Sequence, residues 1–233
     1  MTKLLFAVTA ADHWTLNDGS DHPTGFWAEE LVESHRTFVE AGWDVVVATP
    51  GGKAPVVDEG SLSVDANGGD DAKVADQRKY LDSIESILQS PALLEEQLAA
   101  DFDALFVPGG HGPMQDLAVS DQFGALVSDF LDGGKLVSAV CHAPAALLPA
   151  IRSDGVWAFD GYEMTGFTNE EETQAGLADK APWLLETRLR ESGAQFSNTD
   201  AWAPHVVVDR NVYTGQNPAS TKPLADRVVE ALS

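Results

Sequence analysis

Short apolar runs alternate along the chain with longer stretches in which apolar residues recur at helical spacing. The runs at residues 4–9, 44–49, 104–107 and 136–140 are too short for helices, and they read as buried strands. Val45-Val46-Val47-Ala48 is stopped by Pro50-Gly51-Gly52, and Ala104-Leu105-Phe106-Val107 by Pro108-Gly109-Gly110-His111-Gly112. Helical spacing predicts amphipathic helices over 24–41, with Phe26, Leu31 and Phe38 inward and Gly42 as the stop, and over 121–131, closed by Gly133-Gly134. Further helices are expected over 73–100 with a break at Ser90-Pro91, from Pro144 to near Ile151, over 183–191 with Pro182 at the start, and over 219–232. Residues 205–208 and 211–214 read as two strands joined by Asp209-Arg210, and the polar stretch 53–72 as a surface excursion. Strands alternating with helices predict an α/β fold, with a mostly parallel sheet covered on both faces. No repeat or linker divides the chain, so residues 1–233 read as one domain.

Charge narrows the picture. The chain carries 14 basic and 37 acidic side chains, a formal net charge of −23. Such a surface repels phosphate backbones and anionic membranes, which argues against nucleic-acid or membrane partners. Asp in excess of Glu, with little Lys, is the balance of a protein that stays hydrated at high salt, and a halophilic source would explain it. One cysteine excludes an intramolecular disulfide and a cysteine-based zinc site. The N-terminal apolar run is too short for a membrane span and lacks a cleavage region, so a cytoplasmic protein is expected.

That cysteine sits at an informative place. Leu136-Val137-Ser138-Ala139-Val140-Cys141-His142-Ala143-Pro144 runs from a strand straight into the expected helix. A nucleophile at such a junction occupies a strained turn that leaves room only for small neighbours, here Ala139 and Ala143. The helix N-terminus should lower the thiol pKa, and His142 is an adjacent proton carrier. The glycines after Val107 leave backbone N–H groups free at the carboxyl edge of the sheet, where open α/β sheets place ligands.

These residues resemble the PfpI superfamily, also described as class I glutamine-amidotransferase-like. The resemblance rests on Val107-Pro108-Gly109-Gly110-His111-Gly112 and Ala139-Val140-Cys141-His142-Ala143-Pro144. Thr24-Gly25-Phe26-Trp27-Ala28-Glu29-Glu30-Leu31 and Ala48-Thr49-Pro50-Gly51-Gly52 are similar to the glutathione-independent glyoxalase (glyoxalase III) and heat-shock chaperone branch. So are Met164-Thr165-Gly166-Phe167-Thr168-Asn169-Glu170-Glu171-Glu172 and Val212-Tyr213-Thr214-Gly215-Gln216-Asn217-Pro218.

The resemblance implies a flavodoxin-like three-layer α/β sandwich with a small β-hairpin excursion, and Cys141 as nucleophile. It implies that Glu30 reaches the sulfur; Glu29, on a different face of the helix, and Glu33 read as solvated charges. An acid among Glu170, Glu171 and Glu172 would orient His142, with Glu172 the best match by spacing. Oxyanion donors would fall on Gly110 and His142, with Gly109 beside them. Some relatives hold a metal on two His and one carboxylate. His13, His22, His35, His111 and His205 show no tight ligand spacing, so no metal is carried over, and His22 and His111 are left to the pocket surroundings. Trp27, Trp157, Trp183 and Trp202 are expected in the core or at an interface.

The activity implied is conversion of methylglyoxal, a small dicarbonyl, to lactate through a Cys141 hemithioacetal, with Glu30 and His142 moving protons and no cofactor. A homodimer is implied as well. A cysteine amidase or peptidase would use the same elbow, and a stress chaperone or redox sensor is the non-enzymatic alternative.

Overall fold

The structure, a computed structural model, describes all 233 residues. From the N-terminus the elements are β1 (Lys3–Ala7), β2 (His13–Thr15), β3 (Asp21–Pro23), α1 (Ala28–Glu40), β4 (Asp44–Thr49), α2 (Asp71–Ser83), α3 (Glu85–Leu88), β5 (Ala92–Leu93) and β6 (Ala104–Val107). The second half adds α4 (Gly112–Gln115), α5 (Asp121–Asp132), β7 (Leu136–Val140), β8 (Glu163–Met164), α6 (Asn169–Gln174), α7 (Leu185–Glu191) and β9 (Gln195–Phe196). It closes with β10 (Val206–Asp209), β11 (Val212–Gly215) and α8 (Thr221–Ala231).

Seven strands form one sheet in the order β10-β11-β7-β6-β1-β4-β5. All its pairings are parallel except β10 with β11. In the middle, every residue of β6 and β7 and four of the five in β1 are buried. Burial on both faces explains why these strands read as unbroken apolar runs rather than alternating ones. Helices α1 and α8 pack against each other and against the sheet, and α5 packs on β6 and β7. Phe6 and Phe106 stack across β1 and β6 at 5.6 Å, and Phe38 of α1 meets Phe106 edge-on at 5.2 Å. Burying one such ring stabilises the fold by about 1.5–3 kcal/mol. The apolar stripe of α1 is thus held to the sheet centre, which fixes the start of that helix over the sheet edge. No helix is long and apolar enough to cross a membrane.

The strand order places a functional crevice. From β1 the chain builds outward through β4 and β5, then returns to the other side of β1 with β6. The carboxyl ends of β1 and β6 therefore flank a topological switch point, where open sheets bind ligands. Residues 109–111 leave β6 at that edge, Cys141 leaves β7 beside them, and α1 begins above.

Several sequence expectations shift. Helix α1 starts at Ala28, not at residue 24, because Phe26 pairs with Val57 in a parallel bridge and Trp27 N–H donates to Gly109 O. The expected helix over 73–100 is two helices followed by β5, a two-residue edge strand. Cys141 leads into a 3₁₀ turn, Ala143–Leu147, rather than a helix reaching Ile151. Pro149 explains the stop, since it has no N–H with which to continue the ladder of hydrogen bonds. Helix α7 begins at Leu185, beyond Pro182. The β10–β11 turn is centred one residue later, with Arg210 at φ 55°. The β-hairpin is β2–β3, and residues 53–72 hold two short 3₁₀ turns, Glu59–Leu62 and Asp65–Asn67.

Candidate active site

Cys141 adopts φ 62°, a left-handed conformation that few non-glycine residues take. Two backbone hydrogen bonds impose it: Cys141 N–H donates to Gly215 O at 2.9 Å, and Cys141 O accepts from Phe167 N–H at 2.8 Å. Strain of this kind costs about 1–3 kcal/mol and persists where surrounding structure over-determines it. Ala139 and Ala143 beside it are fully buried, so larger residues have no room.

The glycine loop after β6 closes around the sulfur. Gly109 N–H donates to Glu30 Oε2 at 2.7 Å. A methyl group on Gly109 would lie 2.6 Å from Val140 O, 2.7 Å from Glu30 Oε2 and 3.0 Å from Cys141 Cβ. Gly110 has φ 92°, and a methyl there would meet Gly25 O at 2.4 Å. Only glycine fits either position. Neither Gly110 N–H nor His142 N–H is taken by another backbone group. Both are therefore free, as the donor of an oxyanion hole must be. Gly109 is not, because its N–H belongs to Glu30, and its role is to hold that carboxyl.

Glu30 lies in the first turn of α1 and is 0% exposed. Its Oε1 is buried without a conventional hydrogen-bond partner, while its carboxyl interacts with the Cys141 thiol. Burial pushes the Glu30 pKa up to about 8, against the opposing pull of Cys141 and the Gly109 N–H. At neutral pH this side chain carries a proton. Burial also pushes the Cys141 thiol up, and an ionised Glu30 pushes it the same way. The expectation of a lowered thiol pKa is thus corrected. The five-residue 3₁₀ turn that follows supplies no long-helix dipole, and the thiol is buried.

On its other side the sulfur lies 3.4 Å from His142 Nδ1. His142 Nε2 is 2.7 Å from Glu172 Oε2. Glu172 sits in α6, and its second oxygen, Oε1, is 2.9 Å from His111 Nε2. Burial opposes ionisation of Glu172, but the two imidazoles outweigh it and hold the carboxyl well below its ordinary pKa. An ionised Glu172 accepts hydrogen bonds only, so both Nε2 atoms donate to it and His142 turns Nδ1 toward the thiol.

The three consecutive acids separate cleanly. Glu170 is exposed and accepts from Gln174. Glu171 is fully buried and accepts from Thr168, Trp202 N–H, Gln216 and Asn217. It fixes α6 and the loops around it rather than touching the histidine. Glu29 pairs with Lys73 at 2.7 Å, and Glu33 with Arg36 at 3.8 Å.

Sequence reasoning left His111 outside the chemistry, yet its ring centroid is 3.9 Å from that of His142. The partner it shares with His142 is 61 residues away, so spacing gave no signal. His22 touches only the edge of His111, at 5.8 Å, while His13, His35 and His205 bond to Asp12, Tyr80 and Ser197. Of the four tryptophans named above, Trp157 is buried, whereas Trp202 is 45% exposed.

His111, His142 and Glu172 offer ligand atoms within 4.8 Å of one another, the donor types of a two-His, one-carboxylate metal set. Both Nε2 atoms, however, are satisfied by the Glu172 oxygens, and no orphaned donor faces a shared centre. As arranged, the trio fits a hydrogen-bonded catalytic relay and not a metal site.

Comparison with known proteins agrees with this geometry. A sequence model of the DJ-1/PfpI family matches residues 23–231. The chain is 34% identical over 193 residues to human glutamine amidotransferase-like class 1 domain-containing protein 1, covering 83% of this chain and 82% of that protein. It is 28% identical to glutathione-independent glyoxalase HSP31 of Saccharomyces cerevisiae, covering 99% of this chain and 98% of that one. The X-ray structure of Rapid Encystment Protein 24 KDa from Francisella tularensis superposes with a TM-score of 0.88 at 26% identity, over 100% of both chains. The chain belongs to the DJ-1/PfpI family.

Proposed function

We propose that the protein is a glutathione-independent glyoxalase that converts methylglyoxal to lactate. The observation that carries this reading is the Glu30 carboxyl, sealed beside the Cys141 sulfur and held by Gly109 N–H with its pKa near 8. Cysteine acyl transfer needs a base and an oxyanion hole, which His142 and the free N–H groups supply. A second acid at the sulfur has work to do where a carbon-bound proton must move between neighbouring carbons. The resemblance to the yeast glyoxalase supports the same reading.

In this mechanism Cys141 attacks the aldehyde carbon, and its proton passes to His142 Nδ1. Glu30 gives its proton to the carbonyl oxygen, completing the hemithioacetal. As a carboxylate, Glu30 then takes the hydrogen from the former aldehyde carbon and returns it to the neighbouring carbon. His142 moves the oxygen-bound protons through the enediol. One carbon is oxidised and its neighbour reduced, so the balance needs no external redox partner. The product is a lactoyl thioester on Cys141, which water cleaves to lactate and the free thiol. Cys141 is itself only 3% exposed. A confined nucleophile of this kind suits a very small substrate.

The test is steady-state lactate formation from methylglyoxal by wild type, Cys141→Ala and Glu30→Gln. Loss of activity in Cys141→Ala and a fall on the order of 10²- to 10⁴-fold in Glu30→Gln are expected. Full turnover in Glu30→Gln, or a wild type that cleaves amides and forms no lactate, would replace this reading with a cysteine hydrolase.

A further inference from the structure

The proposed reaction ends on an acyl group attached to Cys141, and its removal requires an activated water. The rings of His142, which faces the sulfur, and His111 lie 3.9 Å apart and together present four imidazole nitrogens. Two of them, the Nε2 atoms of His111 and His142, bond to Glu172. His142 Nδ1 faces Sγ at 3.4 Å and is committed to the sulfur's proton. His111 Nδ1 alone makes no hydrogen bond, and it is not among the sealed, unpartnered atoms of the core. His111 keeps 7% exposure, against 2% for His142. Because ionised Glu172 fixes the proton on Nε2, this free nitrogen carries a lone pair.

The ring is also held in place. Trp14 stacks on His111 at 5.2 Å and 21°, and His22 meets its edge at 5.8 Å. Its backbone continues directly from the Gly109-Gly110 loop, where a methyl on Gly109 would lie 3.0 Å from Cys141 Cβ. From this arrangement we infer that His111 is the general base that activates water for hydrolysis of acylated Cys141. The inference rests on the acyl-enzyme of the proposed glyoxalase reaction, and it applies to any acyl group the thiol carries.

The step balances. Water gives one proton to His111 Nδ1 as its oxygen bonds to the acyl carbon. The carbon–sulfur bond breaks, and the leaving thiolate takes back from His142 Nδ1 the proton that Nδ1 accepted from the thiol on acylation. The carboxylic acid departs, and His111 releases its proton through the open side of the ring. The two rings lie 3.9 Å apart, so two positive charges on them would repel strongly. Protonating the thiolate as water is deprotonated keeps a single charge on the pair. Burial and the neighbouring His142 both push the His111 pKa down, which keeps it a neutral base between turnovers.

The experiment uses p-nitrophenyl acetate to acetylate Cys141 and follows loss of the acetyl group by mass spectrometry. In His111→Phe, which retains an aromatic ring against Trp14, the ratio of the deacylation rate to the acetylation rate should fall on the order of 10²- to 10⁴-fold. In His111→Ala, added imidazole should restore deacylation. Two results would overturn the inference: deacylation at the wild-type rate in both variants, or acylation and deacylation slowed together without imidazole rescue. Failure of the ester to acylate wild-type Cys141 would remove its premise and overturn it as well. A wild type that deacylates normally but forms no lactate would sink the glyoxalase reading alone.

Discussion

Replacing Glu30 by Gln should make the protein more stable and less active. The native carboxyl has a pKa of about 8, against an ordinary value of 4.5. At pH 7 the unfolded state therefore prefers to lose this proton and the native state keeps it. Linkage over the interval from 4.5 to 7 makes that preference worth about 3 kcal/mol in favour of unfolding. Gln carries no titrating proton, is close in shape, and offers a carbonyl oxygen to the Gly109 N–H. The penalty vanishes with it. For a chain of this size 1 kcal/mol shifts Tm by about 2–4 °C, so Glu30→Gln should melt roughly 6–12 °C higher at pH 7. The sign follows from a raised carboxyl pKa. Below pH 4.5 both states are protonated and the two proteins should melt together, and the gap should widen up to about pH 8 and then level off. Calorimetry at pH 4, 7 and 8.5, with lactate production measured alongside, checks both halves. Equal melting at pH 7, or a wild type that melts higher, would refute the claim that this carboxyl is buried with its proton.

The remaining predictions concern the same site and the surface. Glu172→Gln should behave oppositely: a depressed carboxylate stabilises above its unfolded pKa, so this variant should melt lower at pH 7 and the difference should shrink below pH 4.5. Cys141→Gly should exceed Cys141→Ala in urea stability by about 1 kcal/mol, because glycine adopts φ 62° without the left-handed penalty, and both should be inactive. The pH profile of wild-type kcat/KM should fall on its alkaline side near pH 8, as Glu30 loses its proton, and Glu30→Gln should lack that limb. With a net charge of −23, Tm should rise from low salt to molar KCl, and an unchanged Tm would reject the high-salt reading of the acid excess.

What the sequence revealed and what it hid divide along physical lines. The strands β1, β6 and β7 were legible because burial on both faces leaves an unbroken apolar run. The elbow was legible because a strained turn restricts its neighbours to small residues, and Ala139 and Ala143 record that locally. The 3₁₀ turn after Cys141 was misread as a helix because Ala and Leu carry high helix propensity, and the interruption by Pro149 outweighs it. The edge strand β5 is two residues long, too short to show a period. His111 and Glu171 were hidden for a different reason. Their partners come from elements 31 to 61 residues distant, and only the sheet order brings those elements together.

Two glutamates of one chemistry serve one cysteine site in opposite protonation states, and the packing explains why. Glu30 enters the site from the first turn of α1, where it meets a single N–H and a thiol, neither of which offsets the loss of water. Glu172 enters from α6 and meets two imidazoles, each presenting a proton to one oxygen. Burial acts against charge in both, and the number and type of donors decide the outcome. The site thereby holds a loaded acid on one side of Cys141 and a fixed anion behind His142 on the other. A hydrolase needs only the second. Moving a hydrogen from one carbon to the next needs the first as well, since the same group must give up a proton and then take another. The stability lost by burying Glu30 with its proton is what makes that proton available at neutral pH.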